Sequence, residues 1–231
     1  MDYNYKIYPS LLDSYLRYLN NGDFKEDEVA KKELIDRINR VEIFPLPQPI
    51  LIGKELQRLV SDFARKKEEA LKYPEEVIIE GKSVRTNLIR ELAGRVKGSL
   101  FEVYLESNLE TKFGNVLLYG YADYVKHNMI IDLKYVQSYD IGKYYNYTQR
   151  LVYPYCLSNL HIEYFEYLAT DLRSIYPETY VFEKEMHTNV LRGIVESFIG
   201  FLNDHRELIT DKKIFGGENE KERVPNCLVN L

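Results

Sequence analysis

The stretch YADYVKHNMIIDLKYV, residues 121–136, sets two aspartates nine positions apart and a lysine two positions after the second. Its flanks read as β-strands, VLLYGYADYV over 116–125 and MIIDLKYV over 129–136, rich in β-branched and aromatic residues. If His127 and Asn128 form a two-residue hairpin loop, Tyr124 faces Ile131 and Asp123 faces Asp132. Opposed side chains share a face with Cβ atoms roughly 4.5–5.5 Å apart, and Lys134, two residues beyond Asp132, points the same way. Three charged groups are thus expected at one spot on otherwise apolar strands.

Opposed carboxylates repel, which disfavours the pair unless something offsets the charge. A divalent cation does so, since Mg²⁺ is held by one or two carboxylates plus waters and phosphate oxygens. A lysine beside such an ion can orient or deprotonate its water and stabilise developing charge. The pattern therefore suits metal-assisted phosphodiester hydrolysis. It suits equally an exposed hairpin tip whose Asp and Lys are solvated.

Working outward, an alternating strand is expected at FEVYLESNLE (101–110), closed by a turn at KFGN (112–115). On the C-terminal side a helix is expected over IGKYYNYTQRLVY (141–153), capped by Asp140 or Ser138. Strands over HIEYFEYLAT (161–170) and TYVFEKEMH (179–187) and a closing helix over 189–209 complete that half. Upstream, helices are expected to Leu19 (capped by Ser10 or Asp13), over 26–41 and over 52–72, with FPLPQP (44–49) a stiff connector. EVIIEGKSV (76–84) reads as a short strand or hairpin before a helix over 85–96. The fold class is α/β (α+β mixed). Residues 1–97 form a helical N-terminal region of the same fold, 98–210 the core, and 211–231 a C-terminal tail.

Composition narrows the function classes. A formal charge of −5 over 231 residues argues against a protein that grips nucleic acid by global basicity, so any such binding is local. No apolar run approaches 18 residues, and MDYNYKIYPS lacks the regions of a signal peptide, so a cytosolic setting without membrane contact is expected. Cys156 and Cys227 are too few for a disulfide framework or a four-cysteine cluster. His161 and His187 read as packed or exposed residues rather than ligands. Tyrosine is abundant, with 21 residues against no tryptophan, and serves equally as packing material or as a surface for bases.

Gly120 three residues before Asp123, the IIDLKY context, and Gln149 and Tyr153 in QRLVY at helical i, i+4 spacing together resemble the PD-(D/E)XK nuclease superfamily. The Q-x-x-x-Y element resembles the RecB-like exonuclease branch, in stand-alone phage or prophage form. The likeness is clear over about residues 98–160. It implies a restriction-endonuclease-like core, with a central mixed sheet flanked by helices. It also implies Mg²⁺ or Mn²⁺ held by Asp123, Asp132 and the Leu133 carbonyl, Lys134 assisting the water, and Gln149 and Tyr153 placing the DNA end or the active-site network. An upstream helical histidine ligand is usual. Here GKELQ puts Gln57 at that position, GSLFE offers Glu102, and Glu106 and Glu91 compete. An iron–sulfur cluster, found in some relatives, is not expected.

Lys143, Tyr147 and Arg150 lie in a tyrosine-rich, basic stretch whose composition suits single-strand binding. The expected activity is a metal-dependent DNA exonuclease acting on linear ends or single strands in a bacterial or phage-infected cell. The alternative is a nuclease-fold protein that binds DNA or a partner without cutting. A homo-oligomer would supply processivity, and a recombination protein is a further partner, although no residue demands either.

Overall fold

The computed structural model describes residues 3–20, 27–65 and 74–216. A six-stranded mixed sheet is flanked by helices, as the α/β class requires. The chain opens with strand β1 (Tyr5–Ile7), then α1 (Pro9–Leu19), α2 (Asp27–Ile38) and α3 (Gln48–Arg65). A hairpin of β2 (Glu76–Ile79) and β3 (Lys82–Arg85) leads into α4 (Thr86–Val96). There follow β4 (Leu100–Thr111), β5 (Gly114–Lys126), β6 (Met129–Tyr135), α5 (Gln149–Cys156), β7 (Tyr164–Thr170), β8 (Ile175–Val181) and α6 (Lys184–Asp204).

Two apolar clusters sandwich the sheet. The first joins one face to α1, α2, α5 and α6 through residues such as Leu12, Ile35, Val152, Phe165, Val195 and Phe198. The second joins the other face to α3, α4 and the β2–β3 hairpin through Leu56, Val60, Ile79, Val84, Ile89 and Leu92. In α3 the buried residues Ile52, Leu56, Leu59, Val60 and Phe63 recur at helical spacing, so burial of one stripe fixes the helix on the sheet. Among the described residues no helix is long and apolar enough to cross a membrane.

The long strand β5 organises the site. One edge pairs with β4 from Leu100↔Val125 to Thr111↔Gly114. The other edge is shared: β1 runs parallel to Val116–Leu118, and β6 antiparallel to Tyr124–Lys126. Between these partners, residues 119–123 make no ladder pairs on that edge, and the sheet opens there. Strand β6 then pairs parallel with β7, reached through α5, and β7 antiparallel with β8.

Inward and outward residues also change places at this opening. Leu118 and Ala122 join the first cluster, yet Tyr124 joins the second. On β4 Val103 packs on the first cluster and Phe101 on the second, although both are odd-numbered. Between them Glu102 takes a left-handed φ of 52°, which turns the strand over. Such a conformation costs about 1–3 kcal/mol in a non-glycine residue and is found preferentially at functional sites.

Several elements differ from the sequence reading. The expected helix over 141–153 begins only at Gln149, because 141–146 are turns held by packing. Gly142 has φ 79°, Tyr144 is buried and stacked on Tyr167 at 4.6 Å, and its N–H donates to Glu178. Thr148, not Asp140 or Ser138, precedes the first turn, and the helix runs through Pro154 to Cys156. The last strand lies earlier, at Ile175–Val181; Pro177 is tolerated because β8 is an edge strand. Lys184 already starts α6, where His187 accepts the Glu183 N–H at 2.8 Å and stacks on Phe182.

The N-terminal region is not wholly helical, since β1 adds to the central sheet. The expected tail begins as core: Ile214 and Phe215 are buried, and Phe215 bridges Tyr5. The rest of that tail, with Cys227, and the end of the helix expected over 52–72 lie outside the described residues. Neither Ser10 nor Asp13 caps α1, which starts at Pro9 after Tyr8. Asp13 has another role.

Candidate active site

The β5–β6 hairpin has the register read from the sequence, with Tyr124 opposite Ile131 and a loop at His127 and Asn128, where His127 takes φ 51°. The ladder stops at Tyr124–Ile131, however, so Asp123 and Asp132 are not a paired rung. Asp123 instead turns its carboxylate onto β6, where its Oδ2 accepts the Leu133 N–H at 2.9 Å. Its Oδ1 accepts from Gln57 Nε2, also at 2.9 Å. Gln57 belongs to α3 and lies one helical turn after Gly53.

Asp132 is buried on β6, with 1% of its surface exposed. Its Oδ1 accepts from Gln149 Nε2 at 2.8 Å, and its Oδ2 lies 2.6 Å from Lys134 Nζ. That ion pair sits in a buried place, and a carboxylate oxygen has a second lone pair that the lysine leaves for another ligand. The electrostatics follow from this crowding. Burial first, and then the charge of Asp132, push Asp123 up to about 7, against the lowering effect of Lys134 and its own hydrogen bonds. Burial pulls the Lys134 ammonium down, but Asp132 and Asp123 more than offset it and hold the amine above its ordinary value.

Gln149 and Tyr153 come to this spot on the first turns of α5. Tyr153 is buried against β5, which explains Gly120: a Cβ there would lie 2.7 Å from Tyr153 Cε1. Burial, and then Asp132, push the Tyr153 phenol up to about 12, so it stays a neutral hydroxyl. Replacing Gly120 with alanine forces the ring, and with it the Gln149 end of α5, off the sheet. We expect Gly120→Ala to cost about 1–3 kcal/mol, the scale of overpacking, seen as a lowered thermal midpoint, and to reduce activity as Gln149 leaves Asp132. An unchanged midpoint and rate would show that the Gly120–Tyr153 contact sets nothing.

Two residues that the sequence reading did not place here support the site. Asp13, buried on α1, accepts from both the N–H and the hydroxyl of Thr148 at 2.7 Å, anchoring the start of α5. Burial raises the Asp13 pKa, opposed by those hydrogen bonds and by the Lys134 charge. Its signal was an acid within the apolar stripe Leu11, Leu12 and Tyr15. Tyr167 stands beside Asp132 in the β6–β7 ladder, fully buried, its hydroxyl without a hydrogen-bond partner. Only the tertiary pairing reveals it.

Of the upstream candidates, Gln57 is the one bonded to Asp123. Glu102 is exposed at the β4 position across from Asp123. Glu106 accepts the Tyr104 hydroxyl at 2.8 Å, and Glu91 sits on α4 near Arg95 at 3.9 Å. The stretch proposed for DNA is largely engaged within the fold. Lys143 donates to the Ser138 carbonyl, Tyr147 meets Tyr144 and Tyr167 edge-on, and the Arg150 guanidinium lies 4.8 and 5.0 Å from the Tyr145 and Tyr180 rings.

The donor set suits a hard divalent cation. Two crowded carboxylates, one of them with a buried oxygen met by the Lys134 ammonium, give the oxygen chemistry and charge that Mg²⁺ or Mn²⁺ takes.

No family model matches this chain, and no curated protein matches it. A solved structure titled "Crystal structure of SSO0001" is similar with a TM-score of 0.37 and 14% identity, over 76% of this chain and 88% of that one. A likeness of that size fixes neither family nor function.

Proposed function

We propose that this chain is a metal-dependent DNA nuclease of the PD-(D/E)XK type. On its resemblance to the RecB-like branch, we further propose an exonuclease working in the cytoplasm of a bacterial or phage-infected cell. The observation that carries the reading is the convergence of Asp123 and Asp132 in a gap of the sheet. Lys134 and Gln149 are on one carboxylate and Gln57 on the other.

Asp123, Asp132 and the Leu133 carbonyl are the groups that would hold the ion. When bound, Mg²⁺ or Mn²⁺ lowers the pKa of its water and draws charge from the scissile phosphate. The protein groups divide the remaining work. Lys134, held charged by Asp132, donates a hydrogen bond to a phosphate oxygen or the attacking water and stabilises negative charge as it develops. Gln149 and Gln57 each donate to one carboxylate and fix its free lone pairs toward the gap. Tyr153, wedged on Gly120, and Thr148, tied to Asp13, keep α5 in register with Asp132. Water attacks phosphorus as the bond to the sugar oxygen breaks; the water gives up a proton to solvent and the leaving oxygen takes one, so a phosphate monoester and a sugar hydroxyl result.

The test is incubation with end-labelled linear and closed circular DNA in Mg²⁺, Mn²⁺ or EDTA. We expect linear DNA to disappear with either metal, circles to survive, and EDTA to stop the reaction. Cut circles would make it an endonuclease. Cleavage in EDTA would sink the metal mechanism. DNA retarded in a gel but never cut would favour the binding-module alternative, for which one feature speaks: without metal, each carboxylate already has protein partners.

A further inference from the structure

The face of β5 that carries Asp123 continues away from it as a file of tyrosines. Leu118 and Ala122 point into the first core, so Tyr119 and Tyr121 alternate to the opposite face; Asp123 follows where the alternation breaks, and its bond to Gln57 of α3 places it on that same side. Helices α3 and α4 cover the far end of that face, where Gln57 meets Asp123. Tyr121 and Tyr104 are left open, and Tyr119 is half-buried. Tyr121 pairs across the ladder with Tyr104; their rings are 5.2 Å apart, and they remain 60% and 44% exposed. Tyr119 comes next along β5, with the Tyr8 ring edge-on at 5.7 Å and Lys6 Nζ at 4.5 Å from its centroid. Arg40 reaches the Tyr119 hydroxyl at 3.5 Å while paired with Asp211 at 2.7 Å. Tyr121 is one two-residue step, roughly 7 Å, from Asp123.

Charge is divided across this surface. On the outer strand β4, Glu102, Glu106 and Glu110 are exposed, whereas Lys6 and Arg40 lie on the β1 side. A polyanion is repelled from the first border and drawn to the second, which leaves the rings beneath its bases. Two tyrosines ahead of α5 contrast with these. Tyr144 is buried against Tyr167, and Tyr139 is stacked on Tyr176 at 4.5 Å, so their faces are already used.

We propose that Tyr121, Tyr104 and Tyr119, bordered by Lys6 and Arg40, form a track that guides a single strand of DNA to the Asp123–Asp132 site. Its bases stack on Tyr121 and Tyr104, and its phosphates run on the β1 side. The inference rests on the nuclease reading and narrows its substrate to a single strand, because the base faces of a duplex are already stacked.

The test compares full-length parent, Tyr121→Ala, Tyr121→Phe and Tyr145→Ala on a labelled single strand of about 12 nucleotides and on a duplex of equal length. Cleavage is followed in Mg²⁺ and binding by fluorescence anisotropy. On the single strand we expect Tyr121→Ala to raise KM roughly tenfold, the scale of one lost stacking contact, with kcat unchanged. Tyr121→Phe and Tyr145→Ala should match the parent, and the duplex should be insensitive to all three. Tyr121 is exposed, so unchanged thermal midpoints are expected throughout. A parent that cleaves, with Tyr121→Ala equal to it on single strands, overturns the track and leaves the nuclease reading standing. A parent that binds without cleaving, weakened by Tyr121→Ala, keeps the track and overturns the nuclease reading. A parent that neither binds nor cleaves overturns both.

Discussion

Asp132→Asn is expected to remove cleavage by at least ~10²–10³-fold, the scale of losing one electrostatic contact to a transition state, while the protein stays folded. The amide keeps an oxygen for Gln149, so the packing around α5 is retained. What disappears is the charge that sits beside Lys134 and faces Asp123. That loss has a signature independent of activity. In the parent, Asp123 is raised from 3.8 to about 7 by burial and then by the Asp132 charge. Between those values the folded state holds a proton that the unfolded chain has released. Stability therefore falls as pH rises through this window, by at most about 1.4 kcal/mol per pH unit.

Removing the Asp132 charge lowers the upper end of the window. Thermal midpoints measured in EDTA from pH 5 to 8 should decline for the parent and decline less for Asp132→Asn. Parallel profiles would mean that the two carboxylates do not sense each other, and retained cleavage would end the proposed mechanism.

The legible parts of this site were those fixed by short sequence separation. A two-residue loop at His127 and Asn128 determines the register of β5 against β6, and a period of two puts Lys134 beside Asp132. Helical spacing likewise brings Gln149 and Tyr153 together, although their helix begins eight residues later than its composition suggests. The turns ahead of it depend on Tyr144 finding Tyr167 and Glu178, and no local pattern encodes those partners.

Alternation failed at Glu102 and Asp123 for a related reason. Strand periodicity assumes an unbroken ladder, whereas here a left-handed residue and an edge shared between β1 and β6 break it at the functional position. Gln57 was legible as one of four upstream candidates, and the tertiary structure singles it out; Asp13, read only as a helix cap, needed the fold because its partner Thr148 lies 135 residues away. The tyrosine count was legible, but its division into buried and open rings was not.

Lys134→Met separates the structural from the catalytic duty of the lysine. The side chain is 28% exposed and its partner Asp132 only 2%, so the substitution leaves a buried carboxylate without its cation. Breaking such a pair costs about 3–5 kcal/mol; the exposed part of Lys134 places the loss near 3. The deficit should be greatest at pH 8 in EDTA, above the raised pKa of Asp123, and should shrink toward pH 5 as Asp123 takes its proton. Adding Asn at 132 to this variant removes the orphaned charge and should restore much of the midpoint. Mg²⁺ should do the same in the single variant if the two carboxylates hold it. Neither should restore cleavage, because the donor to the phosphate or the water is gone. A midpoint unchanged in EDTA would show that the ion pair contributes nothing to the fold, and cleavage at the parent rate would remove Lys134 from the chemistry.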